Sequence, residues 1–166
     1  GRLEMMRGEG ELRSIFSATA EGNLDGVYYT YEVHTADGTF SSHDPYARAC
    51  GVNGHRSMVI DLSKTDPDGF ADEDRPKLAD PMSMVITEVS IVDVSDGASA
   101  HSRYPGKVKA FPEDKTLSYF KDMGVTHLQL MPSYDFASID ESDSLKEQYN
   151  WGYDQYNYNV PEGSYA

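Results

Sequence analysis

Along GVYYTYEVHT, Val27, Tyr29, Tyr31 and Val33 alternate with Tyr28, Thr30, Glu32 and His34. A period of two in aromatic and β-branched residues predicts a strand with one covered face. Asp37-Gly38 is a hairpin turn signal, with Phe40 on the returning strand. Asn53-Gly54 marks another turn, and RSMVIDL (Arg56 to Leu62) predicts a third strand. Residues 14–63 therefore predict part of an all-β sandwich module, and residues 1–13 a loose polar segment.

The rhythm changes further along. Residues 64–82 hold three prolines and many acids, which predicts a linker. MSMVITEVSIVDV (Met82 to Val94) is apolar on both faces, as a strand covered on both sides would be. DKTLSYFKDMG spaces Leu117, Phe120 and Met123 as on a helix, with Gly124 as its stop. VTHLQLMP (Val125 to Pro132) predicts a further strand. Strand, helix and strand in succession form a βαβ unit, which demands a parallel sheet. Residues 83–166 thus predict the start of an α/β domain.

Composition narrows the chemistry. With 28 Asp and Glu against 14 Lys and Arg, the net charge is −14, which disfavours nucleic acid and anionic membrane as partners. No run reaches the ~18 apolar residues of a membrane span, and the first residues lack the apolar centre of a secretory signal. Localisation is not decided. The five histidines show no HExxH and no cysteine company, so surface or structural roles are expected. Asp66, Asp68 and Gly69 only faintly match a calcium loop. Cys50, the single cysteine, is expected to be an inert thiol. No Gly-rich phosphate loop or GxSxG motif is present.

The closing stretch EQYNWGYDQYNYNVPEGSYA (Glu147 to Ala166) holds five tyrosines, a tryptophan and three asparagines without a clear period. A packed loop is one reading. A carbohydrate surface is the other, because sugar rings present apolar C–H faces to aromatic rings and hydroxyl rims to amides and carboxylates. NWGYD offers both kinds of group, with Gly152 giving room for close approach. The segment follows Pro132, at the carboxyl end of a strand, where α/β barrels build their active face. A loop from Pro132 to the end without structure of its own is unusually long, and such loops are often functional.

YNWGYD followed by YNVPEGSY resembles the type I pullulanases, starch-debranching enzymes of the alpha-amylase superfamily. DPYARACGVNGHRSMVIDLSKTDPDGF (Asp44 to Phe70) resembles the end of their starch-type sandwich module. GVTHLQLMPSYDFASIDE (Gly124 to Glu141) resembles their first helix end, second barrel strand and following loop. The match runs in order from about Leu24 to the C-terminus. The resemblance implies a β-sandwich module followed by the first βαβ part of an incomplete (β/α)8 barrel, the front piece of a longer parent. That parent would hydrolyse α-1,6 bonds of branched α-glucans (pullulan, glycogen, starch dextrins) by a retaining mechanism.

The resemblance assigns no catalytic residue here, because the family's carboxylates lie on later strands. It assigns no cofactor and no metal ligand, and leaves calcium undecided for the parent. It implies that Tyr153 stacks on the sugar ring at the cleavage site, with Asn150, Trp151 and Asp154 shaping the loop. The first barrel strand departs from the family's IYEMHVRDF pattern: Ile86 to Val94 reads ITEVSIVDV, retaining Glu88 and Asp93. Gln155 stands where a proline is common. A non-catalytic α-glucan-binding module, or an inactive decayed product, is the alternative reading. Two barrel strands cannot close, so apolar faces are expected to stay wet and stability to be marginal.

Overall fold

The structure, a computed structural model, describes residues 1–74, 76–97, 100–143 and 148–166. Among these residues the strands pair two by two, into five separate sheets. β1 (Met6–Arg7) and β2 (Phe16–Ser17) form an exposed ribbon.

The alternation of the next segment is present, but its strand divides. β3 (Tyr28–Tyr29) and β4 (Tyr31–Thr35) are separated at Thr30. β4 pairs with β5 (Gly38–Ser42), opposing Val33 to Phe40, whereas β3 pairs with β6 (Ser57–Met58). Thr35 faces Gly38, so the hairpin turn is Ala36-Asp37, one position ahead of the predicted pair. Tyr29 and Tyr31 do share a face: their hydroxyls donate to Asp44 Oδ2 at 2.7 and 3.3 Å. The predicted strand from Arg56 to Leu62 is cut to β6. Asp61 then caps a 3-10 turn, Leu62–Lys64, by accepting from the Ser63 amide. Val33 and Phe40 of the β4–β5 ribbon stay exposed. Among the described residues the first half therefore forms separate two-stranded ribbons.

The βαβ unit is present. β7 (Ile86–Val89), α1 (Asp114–Asp122) and β8 (His127–Leu130) follow in order, and the strands run parallel with Glu88 opposite Gln129. α1 buries Phe120 and leaves Leu117 and Met123 exposed. The first strand is shorter than predicted. From Ser90 the chain turns, with the Val94 amide on Ser90 O and the Asp96 amide on Val92 O. That turn carries Ile91, 1% exposed, into the core. A continuous apolar run has no periodicity to separate strand from buried turn.

The segment after Pro132 has structure of its own, contrary to the sequence reading. β9 (Tyr134–Phe136) and β10 (Gln155–Pro161) pair antiparallel, with register shifts on both sides of Asn157. Asn159 has φ 63, so the bulged strand buries Asn157 and Val160, three positions apart. A bulge breaks the period of two by which a strand is recognised. A 3-10 turn, Gly163–Tyr165, follows.

The core is small: Ile91, Phe136 and Tyr165, with Val92, Phe111 and Ile139 against them. The Phe136 and Tyr165 rings meet edge to face at 5.7 Å. The accessible surface is 12977 Å², where a compact monomer of 18.5 kDa would expose about 8,200 Å². More than half as much again is left in water. Among the described residues, no helix is long and apolar enough to cross a membrane.

Candidate functional site

Residues 148–154, between β9 and β10, lie against β7 and the residues that follow β7 and β8. Gly152 has φ 83, a left-handed conformation. A Cβ placed there would overlap the Pro132 carbonyl oxygen, so glycine is required on both counts. Its close approach is to the protein's own backbone after β8, not to a ligand. The Asn150 side chain organises the turn: Oδ1 accepts from the Gly152 amide at 2.6 Å, and Nδ2 donates to Asp154 Oδ1 at 2.7 Å and to Ser138 Oγ. Burial pushes the Asp154 carboxyl up, but hydrogen bonds from Ser138 and Asn150 outweigh it and hold its pKa below the usual value. Gln155 Nε2 closes the turn on Gly152 O at 2.7 Å.

This frame sets out the aromatic residues. Tyr153 is 60% exposed and Trp151 61%. The Tyr153 hydroxyl donates to Glu88 Oε1 on β7 at 2.8 Å, and the Tyr149 hydroxyl donates to Asp93 Oδ2 at 2.8 Å. The carboxylates raise both tyrosine pKa values, since each hydrogen bond favours the protonated phenol. Hydroxyls occupied in this way leave the ring faces as what the loop offers. The structure thus brings Asn150, Trp151, Tyr153 and Asp154 into one turn, with Asn150 and Asp154 in framing positions.

A second cluster is buried behind this loop. Asp135 on β9, Glu141 and Glu162 each bring a carboxylate oxygen within 4.8 Å of the others. Asp135 and Glu162 are each 3% exposed. Glu162 accepts from the Ser164 amide at 2.9 Å and the Phe136 amide at 3.1 Å, and Asp135 Oδ2 accepts from Asn157 Nδ2 at 2.6 Å. Burial raises the pKa of both acids, with the Glu141 charge adding to it. Such hard oxygen ligands suit a calcium-type cation. Asp135 and Glu162 are enclosed by the protein, whereas Glu141 is half-buried.

The cluster also joins distant parts of the chain. Gly54 (φ 65) packs so tightly on Asn157 and Asp135 that a Cβ there would collide with both. Cys50, half-buried nearby, has its thiol pushed up to about 11, chiefly by burial, which keeps it unreactive. The His43 and Tyr156 rings meet at a tilt, 4.7 Å apart. Sequence reading missed this cluster, because residues at 135, 141 and 162 have no local spacing that joins them. It also missed the roles of Glu88, Asp93 and Tyr149. The first two had left a signal, as residues retained in an otherwise altered strand.

No protein-family model matches the chain. The pullulanase of Bacillus subtilis (strain 168) is 32% identical over 163 residues, which cover 93% of this chain and 22% of that protein. Pullulanase from Bacillus acidopullulyticus superposes with a TM-score of 0.88 at 39% identity, over 99% of this chain and 21% of its own. Pullulanase from Paenibacillus barengoltzii, in complex with maltohexaose and alpha-cyclodextrin, superposes with a TM-score of 0.90 at 38% identity, over 97% of this chain and 26% of its own. The chain therefore spans about a quarter or less of the length of these relatives.

Proposed function

The chain is a homologue of the pullulanases, and on that premise we propose that it carries part of the substrate cleft of a starch-debranching glycoside hydrolase. Tyr153 is the sugar-stacking face of that cleft, and branched α-glucans such as pullulan, glycogen and starch dextrins are the ligands. The observation that carries the reading is Tyr153 itself. The residue is 60% exposed while its hydroxyl is tied to Glu88 at the carboxyl end of a parallel strand. A large apolar ring held open to solvent suits the C–H face of a glucose unit. The complex of the Paenibacillus barengoltzii relative with maltohexaose supports the ligand class.

The sandwich module and the (β/α)8 barrel belong to the longer parent in this reading. The first half of the chain contributes ribbons to the one, and the βαβ unit opens the other. The parent hydrolyses α-1,6 bonds with retention, using two carboxylates about 5–5.5 Å apart. No residue of this chain is assigned to that pair. A non-catalytic α-glucan-binding role for the chain by itself is the second reading. It is favoured because, in the one group of three carboxylates found among the described residues, Asp135 and Glu162 are buried. Titration with maltohexaose tests binding, which is expected to be saturable and lost in Tyr153→Ala. Release of reducing ends from pullulan by the chain would refute the assignment of no catalytic residue.

A further inference from the structure

We propose that Glu88 and Asp93 are positioning residues that fix the angle at which Tyr153 meets an α-glucan ring, a role that rests on the stacking reading above. Two observations converge on them. Glu88 Oε1 receives the Tyr153 hydroxyl and Asp93 Oδ2 receives the Tyr149 hydroxyl, each at 2.8 Å. The two acids are five positions apart, on β7 and on the turn after it. The two tyrosines are four positions apart, on either side of the Asn150–Gly152 turn. The loop is therefore pinned at two points, to β7 after its own turn and to the segment following β7 before it.

The geometry gives each acid a route to the sugar through a ring. One oxygen of each carboxylate is engaged by a phenol of the loop. A ring pinned at its hydroxyl end keeps only small rotations about its long axis, and less motion is lost when a sugar packs on it. Preorganisation of this kind lowers the cost of binding without adding a contact. It also accounts for the altered first strand. Where Thr87, Ser90, Val92 and Val94 stand in place of the expected residues, the two acids that remain are the two that hold the loop. The upward pKa shifts of Tyr149 and Tyr153 accord with these contacts.

The test uses the full chain with Glu88→Gln, Glu88→Ala, Asp93→Asn, Tyr153→Phe and the double variant Glu88→Ala/Tyr153→Phe, each checked by circular dichroism for retained folding. Alkaline titration of tyrosine absorbance reads the contact directly. Glu88→Gln is expected to move one phenol to lower pH, as is Asp93→Asn. Maltohexaose affinity reads the consequence. Glu88→Ala and Tyr153→Phe are each expected to weaken it about five-fold, in line with the net contribution of one ordinary hydrogen bond. The double variant should be no weaker than either single one, since both changes break the same contact. An unmoved titration overturns the contact. A moved titration with unchanged affinity, or with additive losses, overturns the positioning role. If the unaltered chain binds no maltohexaose while the titration still moves, the stacking reading has failed and takes the positioning role with it, and the intact contact identifies that as the cause.

Discussion

Asn53 and Glu141, 88 positions apart, hold each other twice: the Asn53 amide donates to Glu141 Oε2 at 2.5 Å, and the Glu141 amide donates to Asn53 Oδ1 at 2.8 Å. Asn53 Nδ2 also reaches Asp140 Oδ1 at 3.1 Å. This exchange ties the turn before β6 to the loop after β9, and with it the two halves of the chain. Asn53 sits at φ 57, a conformation asparagine tolerates better than most side chains.

Asn53→Ala removes both side-chain bonds and strains the backbone. It should lower stability by roughly 2–3 kcal/mol, from about 1 kcal/mol for each feature lost. Asn53→Gly keeps the conformation and should cost less. Urea unfolding midpoints measure both. Equal losses would show that backbone strain contributes nothing.

Gly152→Ala sets a methyl group against the Pro132 carbonyl and forces a residue with a side chain to φ 83. The loop must move, at a cost of about 2 kcal/mol or more. Near-ultraviolet circular dichroism from Trp151 and its neighbouring tyrosines should change, while the far-ultraviolet spectrum holds. An unchanged near-ultraviolet spectrum would mean that the turn has slack the structure does not display.

The buried acids predict the direction of a pH dependence. A carboxyl whose folded-state pKa lies above its unfolded one contributes fully to stability at low pH and loses that contribution as pH rises through the folded pKa. Asp135 and Glu162 are both of this kind. Their part of the stability should fall as pH rises from the ordinary carboxylate range toward neutrality. The acids with lowered pKa, Asp25, Asp61, Glu113 and Asp154, oppose this, and of these Asp25 and Asp61 are exposed and screened. Asp135→Asn should raise the melting temperature at pH 7 and flatten its rise toward pH 5. A larger loss of stability in acid than at pH 7 would contradict this.

The surface left in water has its own consequence. Met82 is 89% exposed, and Ile86, Leu130, Met123 and Phe40 are also exposed. With a core of a few side chains, the isolated chain should bind the dye ANS at neutral pH and melt broadly, in step with marginal stability. A sharp, monomeric two-state melt without dye binding would count against this.

The βαβ unit was legible because its signals are local: helical spacing at Leu117 and Phe120, a glycine stop, and apolar strands on either side. The turn at Asn53-Gly54 was equally legible, but not what it touches. Its partners Asp135, Glu141 and Asn157 come from the other half of the chain, and no local period reports a contact across about 80 residues or more. β10 was missed because its bulge at Asn159 hides the alternation. Strand lengths were overstated at Thr30 and after Val89 because an unbroken apolar or alternating run does not say where partners end. The composition of YNWGYD singled out the aromatic stretch, while the Asn150 turn that frames it and its fastening to Glu88 and Asp93 needed the fold.

The central claim is that Tyr153 is a sugar-stacking face, and maltohexaose titration followed by Trp151 fluorescence tests it most directly. Trp151 is the only tryptophan and lies two residues from Tyr153. Stacking against one exposed platform predicts a saturable change with a dissociation constant on the order of 1 mM, absent in Tyr153→Ala and weakened in Glu88→Ala. A flat titration of the unaltered chain, or an equal response from Tyr153→Ala, would contradict it.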